Sequence, residues 1–345
     1  MLKYFSQSTT INRSVVVSQV YPLPLRKYSL PDIITDQCTR FLLVIPLLYN
    51  TNNIMTTKTV EKIVSPKPAH FVGDGFRVHN FIPGIQGMDM KRMDPFIMLD
   101  YNAKFHFNGT EQPRGVGVHP HRGFETVTIA YKGKVQHHDS AGGGGIIGEG
   151  DVQWMTAAKG VLHKEYHETE WAKAGEIFQM VQLWVNLPAV YKMSCPKYQA
   201  IPNDAMTKVD LGNDSFIEII AGTYNGQKGP TFTFSPVHVM NARLNKGGKA
   251  AFHFPADFNT AALVIEGSIL INDNERASVN QLVLFKNEGE AFTIEAQEYS
   301  IVLIISGMPL NEPIYAHGPF VMNSREEIMQ AFEDYNIGRF GYLAD

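Results

Sequence analysis

At 345 residues, with 44% hydrophobic residues, 19% charged residues and a net charge of −4, the chain has the make-up of a folded protein of about two domains of ~150 residues each, which excludes a disordered polymer or a wholly membrane-embedded one. Residues 1–54 carry five basic and two acidic residues, leaving 25 basic and 32 acidic ones from Met55 onward; a body of that sign repels phosphate backbones, so no direct nucleic-acid partner is expected. Two cysteines, Cys38 and Cys195, exclude a disulfide scaffold and any multi-cysteine metal cluster.

The polar, acid-poor start, residues 1–58, reads either as a disordered extension or, over 1–54, as an organelle-targeting segment. Its best apolar run, 41–49, is interrupted by Pro46 and falls well short of the ~20 residues needed to cross a bilayer, so no membrane partner is expected. From there on the pattern is one of strands. Short runs rich in Val, Ile, Thr, Phe and Tyr, at 126–131, 181–185, 217–220, 263–265 and 301–305, are separated by Gly, Asn, Asp and Pro. The stretch Gly143–Gly148 (GGGIIG) has the letters of a dinucleotide-binding turn, but Glu149, Gly150 and Asp151 do not open a helix there, and it reads as a mobile loop.

An internal repeat organises these runs. Residues 119–133 align with 253–267 at an offset of 134, matching His119 to His253, Phe124 to Phe258, Thr126 to Thr260 and Gly133 to Gly267; later, Gly160 meets Gly289 at an offset of 129. Two copies of a strand-rich unit make an all-β chain of two barrels. One short C-terminal helix is predicted as well. Ser324 and Glu327 form a capping box, Ile328, Phe332 and Tyr335 follow at helical spacing, and Gly338 ends it.

The chemistry lies in two pairs, His119-Pro-His121 and His163-Lys-Glu165. Residues i and i+2 of a strand face the same side, so each pair projects two ligands into one space, and neighbouring strands would bring three imidazoles and a carboxylate around one ion. That donor set suits Fe, Zn, Cu or Ni rather than a closed thiolate site, and an ion accepting six ligands keeps two positions open for substrate, water or dioxygen. A lone histidine in a strand is more often a core or surface residue, and His70, His79, His106, His137, His138, His167, His238, His253 and His317 are read that way. His137 and His138 in particular are adjacent and must face opposite sides. In the second copy, His121, His163 and Glu165 are replaced by Pro255, Phe292 and Ile294, so that barrel is expected to hold no metal. Phe107, Phe124, Trp154 and Met155 are candidate cavity linings, with plain barrel core as the alternative.

These strings, His119-Pro-His-Arg-Gly-Phe-Glu-Thr-Val127, Gly150-Asp-Val-Gln-Trp-Met-Thr-Ala157, Gly160-Val-Leu-His-Lys-Glu165, Leu183-Trp-Val-Asn-Leu187, Pro309-Leu-Asn-Glu-Pro-Ile314 and Gly318-Pro-Phe-Val-Met-Asn323, resemble the pirin family of the cupin superfamily over residues 70–341. The resemblance implies two tandem cupin jelly-roll barrels (a bicupin). The expected division is an N-terminal extension at 1–58, a metal-binding barrel at 59–195, a metal-free barrel at 196–308 and a tail with the helix at 309–345. It implies Fe(2+), or another divalent transition metal, on His119, His121, His163 and Glu165, with Glu125 outside the ligand set. Ala158 departs from the general cupin pattern, which has proline there.

The implied activity is that of a quercetin 2,3-dioxygenase, with an aromatic small-molecule substrate, dioxygen as co-substrate and Glu165 as the catalytic base. The alternative is a redox-sensing iron protein that binds a transcription regulator without turnover. A monomer in the cytoplasm or nucleus is expected.

Overall fold

The computed structural model describes residues 56–344; the targeting or extension reading of residues 1–54 and the position of Cys38 fall outside it. Among the described residues, the chain is built from two copies of one pattern, each a seven-stranded and a four-stranded antiparallel sheet curved around a common interior. In the first copy the large sheet runs Lys197–Ile201, Val152–Thr156, Phe124–Lys132, Ile177–Asn186, Phe96–His106, Phe76–Ile82, His70–Val72. The small sheet runs Gly115–His121, Val161–His167, Val135–Asp139, Gly144–Ile147. The second copy repeats this order from Val60–Val64 through Leu282–Phe285, Asn259–Glu266, Ser300–Gly307, Val237–Leu244 and Ser215–Ala221 to Thr207–Gly212. Its small sheet is Lys249–His253, Ala291–Ala296, Ser268–Ile271, Glu275–Ser278. The two-barrel, all-β expectation therefore holds.

Each large sheet is covered on both faces, which is why its strands read as unbroken apolar runs rather than clean alternations. Val181, Leu183 and Val185 of the first barrel share one buried cluster with Val239, Leu263, Leu303 and Ile305 of the second, so the two large sheets pack back to back. Alternate residues of the same strand, Met180, Gln182 and Trp184, point the other way, into the first barrel. The interior of the second barrel is a separate cluster that includes Phe252, Phe254, Phe285 and Phe292.

Three sequence readings need correction. The boundaries at 59 and 195 do not follow the sheets, because Val60–Val64 is hydrogen-bonded to Leu282–Phe285 of the second barrel and Lys197–Ile201 to Val152–Thr156 of the first. The barrels thus exchange edge strands, each covering an edge that would otherwise be unpaired. Periodicity marks a strand but carries no information about which edge it joins. Second, Gly144–Ile147 is a strand paired with Val135–Asp139 and not a loop; the tandem glycines hide it, since they offer no side chains to alternate.

Third, the repeat slips by one residue in its first strand. His163 stands opposite His119 in barrel one, and its counterpart Phe292 stands opposite Phe252, not His253. A one-residue shift moves a side chain to the other face: Phe252 is buried, whereas His253 is exposed on the outside. Phenylalanines, with Phe252 and Phe292 stacked at 5.0 Å, fill the space that the histidines occupy in barrel one.

The helix Arg325–Asn336 is capped as expected, Ser324 Oγ accepting from Glu327 N at 3.1 Å. It packs Ala331 and Phe332 with Phe320, Phe340 and Leu162, the last a residue of the first barrel. The tail thus returns to the first barrel. No helix of the described residues is long and apolar enough to cross a membrane.

The edge exchange predicts that deleting residues 1–64 will speed amide exchange in Leu282–Phe285, the strand that loses its neighbour, while Phe76–Ile82 of the first barrel stays protected. Unchanged exchange in Leu282–Phe285 would contradict the pairing.

Candidate metal centre

The two histidine pairs meet where Gly115–His121 and Val161–His167 run side by side. His163 is directly opposite His119, and a register shift then places Glu165 opposite Val116, so the bulge turns the carboxylate without taking it off the inner face. The ring centroids of His119 and His163 are 4.2 Å apart and those of His121 and His163 4.7 Å. Ligating atoms of His119, His121 and His163 lie within 4.8 Å of one another.

Ring tautomers follow from the carbonyls behind them. His119 Nδ1 is 2.8 Å from Gly117 O and His121 Nδ1 is 3.4 Å from Pro319 O. A proton on each Nδ1 leaves Nε2 with its lone pair directed inward, as metal ligation requires. His163 is more telling: it is 1% exposed, and neither ring nitrogen has a hydrogen-bond partner. A buried, unsatisfied imidazole costs on the order of 1–3 kcal/mol, a cost that coordination would remove. The donor set therefore fits a divalent metal.

Glu165 is held from several sides. Gln153 Nε2 donates to its Oε1 at 2.7 Å, Gln182 Nε2 to Oε2 at 2.9 Å, and Thr128 Oγ1 to Oε1 at 3.2 Å. His137 Nδ1 lies 3.9 Å from Oε1. This last contact corrects the assignment of His137 to the background. Strand alternation does separate it from exposed His138, but it also turns His137 inward, opposite Glu165, and it forms a second group of candidate ligands with His163 and Glu165. The neighbouring pair His137-x-Asp139 has the same i, i+2 spacing as the recognised pairs and was the available clue. Gln153 and Gln182 leave no comparable trace in the sequence.

Electrostatics sort these groups. Burial, and then repulsion from His119, pushes the His121 pKa down to about 3, and burial drives His163 well below the usual imidazole range. Both are neutral and ready to ligate. Burial alone would raise Glu165, yet His137 and Gln182 bring it down to about 2, so the carboxylate stays ionised. Burial would lower His137, but Asp139 and Glu165 outweigh it and raise its pKa. Glu125 belongs to neither ligand group; it accepts from Thr156 Oγ1 at 2.7 Å, and burial raises its pKa to about 7.

A cavity of about 360 Å³ opens onto the cluster, bordered by His119, His121, Glu165, Gln182 and Asp100 and walled by Val72, Phe76, Val78, Met98, Val116, Met180 and Trp184. That volume is in the range of small-molecule sites. Phe107, Phe124, Trp154 and Met155 do not line it but are buried core; Trp184, stacked on Phe124 at 4.2 Å, supplies the aromatic wall instead. Behind the cluster, the C-terminal tail is pinned to the residue after His121. Arg122 Nη2 bonds Asp334 Oδ2 at 2.8 Å with both side chains buried, and its guanidinium lies 4.7 Å over the Phe340 ring. Ala158, next to this strand, has φ 42°, which a proline ring cannot adopt; the departure from the general pattern follows from that turn.

Comparison with known proteins agrees with this geometry. The sequence profile described as Pirin matches residues 75–185, and that described as Pirin C-terminal cupin domain matches residues 239–341. A Pseudomonas aeruginosa protein with the provisional name quercetin 2,3-dioxygenase is 45% identical, covering 82% of this chain and 98% of its own. The chain belongs to the pirin family. A pirin-like protein of Solanum lycopersicum is 35% identical over 78% of this chain and 89% of its own. A crystal structure of quercetin 2,3-dioxygenase from Acinetobacter baumannii, 46% identical, aligns with a TM-score of 0.78 over 83% of this chain and 99% of its own.

Two outcomes follow for this pirin. His121 is neutral in the fold down to about pH 3, whereas an unfolded imidazole protonates near 6.5. The unfolded state therefore binds the extra proton in between, and stability of the metal-free protein falls as pH drops below 6.5. From 6.5 to 5 the loss is about 2 kcal/mol for each such imidazole, His137 opposing it in sign. Urea unfolding at the two pH values, with His121→Leu flattening the slope, measures this. Asp334→Ala, which leaves Arg122 buried without its partner, is expected to weaken metal binding about 10- to 100-fold in chelator competition.

Proposed function

We propose that the first barrel binds Fe(2+) through His119, His121, His163 and Glu165 and acts as a dioxygenase on flavonols such as quercetin. The observation that carries this reading is that the His119, His121 and His163 cluster, with the ionised carboxylate of Glu165 grouped beside His163, adjoins an apolar cavity of a size to enclose an aromatic ligand. The names of the Pseudomonas and Acinetobacter relatives support the substrate class.

When bound, iron supplies Lewis acidity and the electron transfer that dioxygen chemistry demands. The chain supplies the rest. Trp184 and the Met98 and Met180 side chains offer flat, polarizable surfaces to an aromatic ring and exclude water from around it. Glu165 is proposed to take the proton of the substrate hydroxyl on its oxygens. With a pKa of about 2 it is a weak base, so it accepts that proton only from a strongly acidified donor. Gln153 and Gln182, one on each carboxylate oxygen, hold it at the cavity wall so that no reorientation precedes the transfer. Its neighbour His137, raised in pKa by Asp139 and Glu165, stands 3.9 Å from the carboxylate.

Protein reconstituted with Fe(2+) is expected to consume oxygen with loss of flavonol absorbance. His163→Ala should abolish metal uptake and turnover together. Glu165→Gln should lower turnover by about 10²- to 10⁴-fold. Metal-loaded protein that takes up no oxygen with quercetin would sink the proposal.

A further inference from the structure

The cavity wall carries a second carboxylate that no step above uses. Asp100 stands opposite Gln182 across one strand boundary and opposite Asn80 across the next, while Gln182 stands opposite Thr128. Opposed residues of antiparallel neighbours share a face, so Thr128, Gln182, Asp100 and Asn80 form a polar row over four strands of an otherwise apolar wall.

One part of the row reaches the metal-binding cluster, through Gln182 and Glu165. The other part is Asp100, which borders the same cavity and is 9% exposed. Asn80 Nδ2 donates to its Oδ1 at 2.7 Å. Among the described residues Oδ2 has no protein donor.

A carboxylate oxygen open to the side of an apolar pocket is complementary to a ligand that brings its own O–H donor, and such charge-assisted bonds are the strong ones. Asp100 lies one strand, ~4.8 Å, beyond Gln182, the residue that touches Glu165, so a ligand that meets both carboxylates carries two polar groups set apart along its length. Val78 and Met98 flank the path.

We infer that Asp100 is a specificity-determining residue of this cavity, accepting a hydrogen bond from a phenolic hydroxyl at the end of the aromatic ligand remote from the histidines. The inference rests on the proposed flavonol substrate and adds which flavonols are selected: those hydroxylated away from the metal-facing ring. A ligand without that hydroxyl covers the carboxylate and leaves Oδ2 without a donor, the arrangement by which a polar site rejects an analogue most strongly.

Zinc-loaded protein, which binds without redox turnover, is titrated calorimetrically with quercetin and with 3-hydroxyflavone, which keeps the hydroxyl and keto oxygen of the central ring but lacks every other hydroxyl. Asp100→Asn is expected to weaken quercetin about 10- to 100-fold and to leave 3-hydroxyflavone unweakened or bound more tightly, metal content being unchanged. Asn80→Ala, which frees the carboxylate from its orienting donor, should give a smaller loss confined to quercetin. Equal losses for both ligands, or none for quercetin, overturn the assignment of Asp100 and leave the proposed reaction standing. Failure of quercetin to bind the unsubstituted protein overturns both.

Discussion

The pairing of Gly115–His121 with Val161–His167 is the constraint on which the site depends. With His163 opposite His119, strand alternation sends His119, His121, His163 and Glu165 into one interior, and a slip of one residue would turn all of them outward. Burial then works on what the register has assembled. Deprived of water, His121 and His163 stay neutral, and the carboxylate is kept ionised by the groups closed around it. A cation is the natural complement of such a set, because the charge of Glu165 and the unsatisfied nitrogens of His163 are otherwise left in a low-dielectric space.

The second barrel shows what the same scaffold becomes when that set is withdrawn. Its strands pair in the same order, and the inward positions carry Phe252, Phe254, Phe292 and Ile294, which close the interior by packing. The interior of one copy is therefore filled by apolar side chains where the other carries a polar site within a packed frame. Back-to-back packing of the large sheets and the exchange of edge strands join them into one body, so the second copy acts as a rigid support for the wall that bears Gln182 and Asp100. The returning tail braces the opposite side, where Pro319 O faces His121 and Asp334 holds Arg122.

Much of this was legible in the chain itself, because strand period, repeat and ligand spacing are local properties. The runs at 126–131, 181–185 and 301–305 lie within strands, the capping box at Ser324 opens a helix, and the two ligand pairs lie on adjacent strands of the first barrel. What local pattern could not supply is any quantity that depends on partners distant in sequence. Nothing within Val60–Val64 hints at its neighbour more than two hundred residues away. His137 has the same composition and period as a surface histidine until Glu165 is placed opposite it. The bulge that resets the register, the two glutamines on Glu165 and the polar row ending at Asp100 arise from which strands touch.

Sequence alone thus determined that the protein is a duplicated β structure with two inward-facing candidate ligand pairs in its first half and apolar replacements for three of those four residues in its second, since side-chain direction along a strand obeys a period of two. Tertiary structure alone decided how those pairs are charged, clamped and enclosed, since burial, hydrogen-bond partners and cavity walls come into being only when remote strands are brought together.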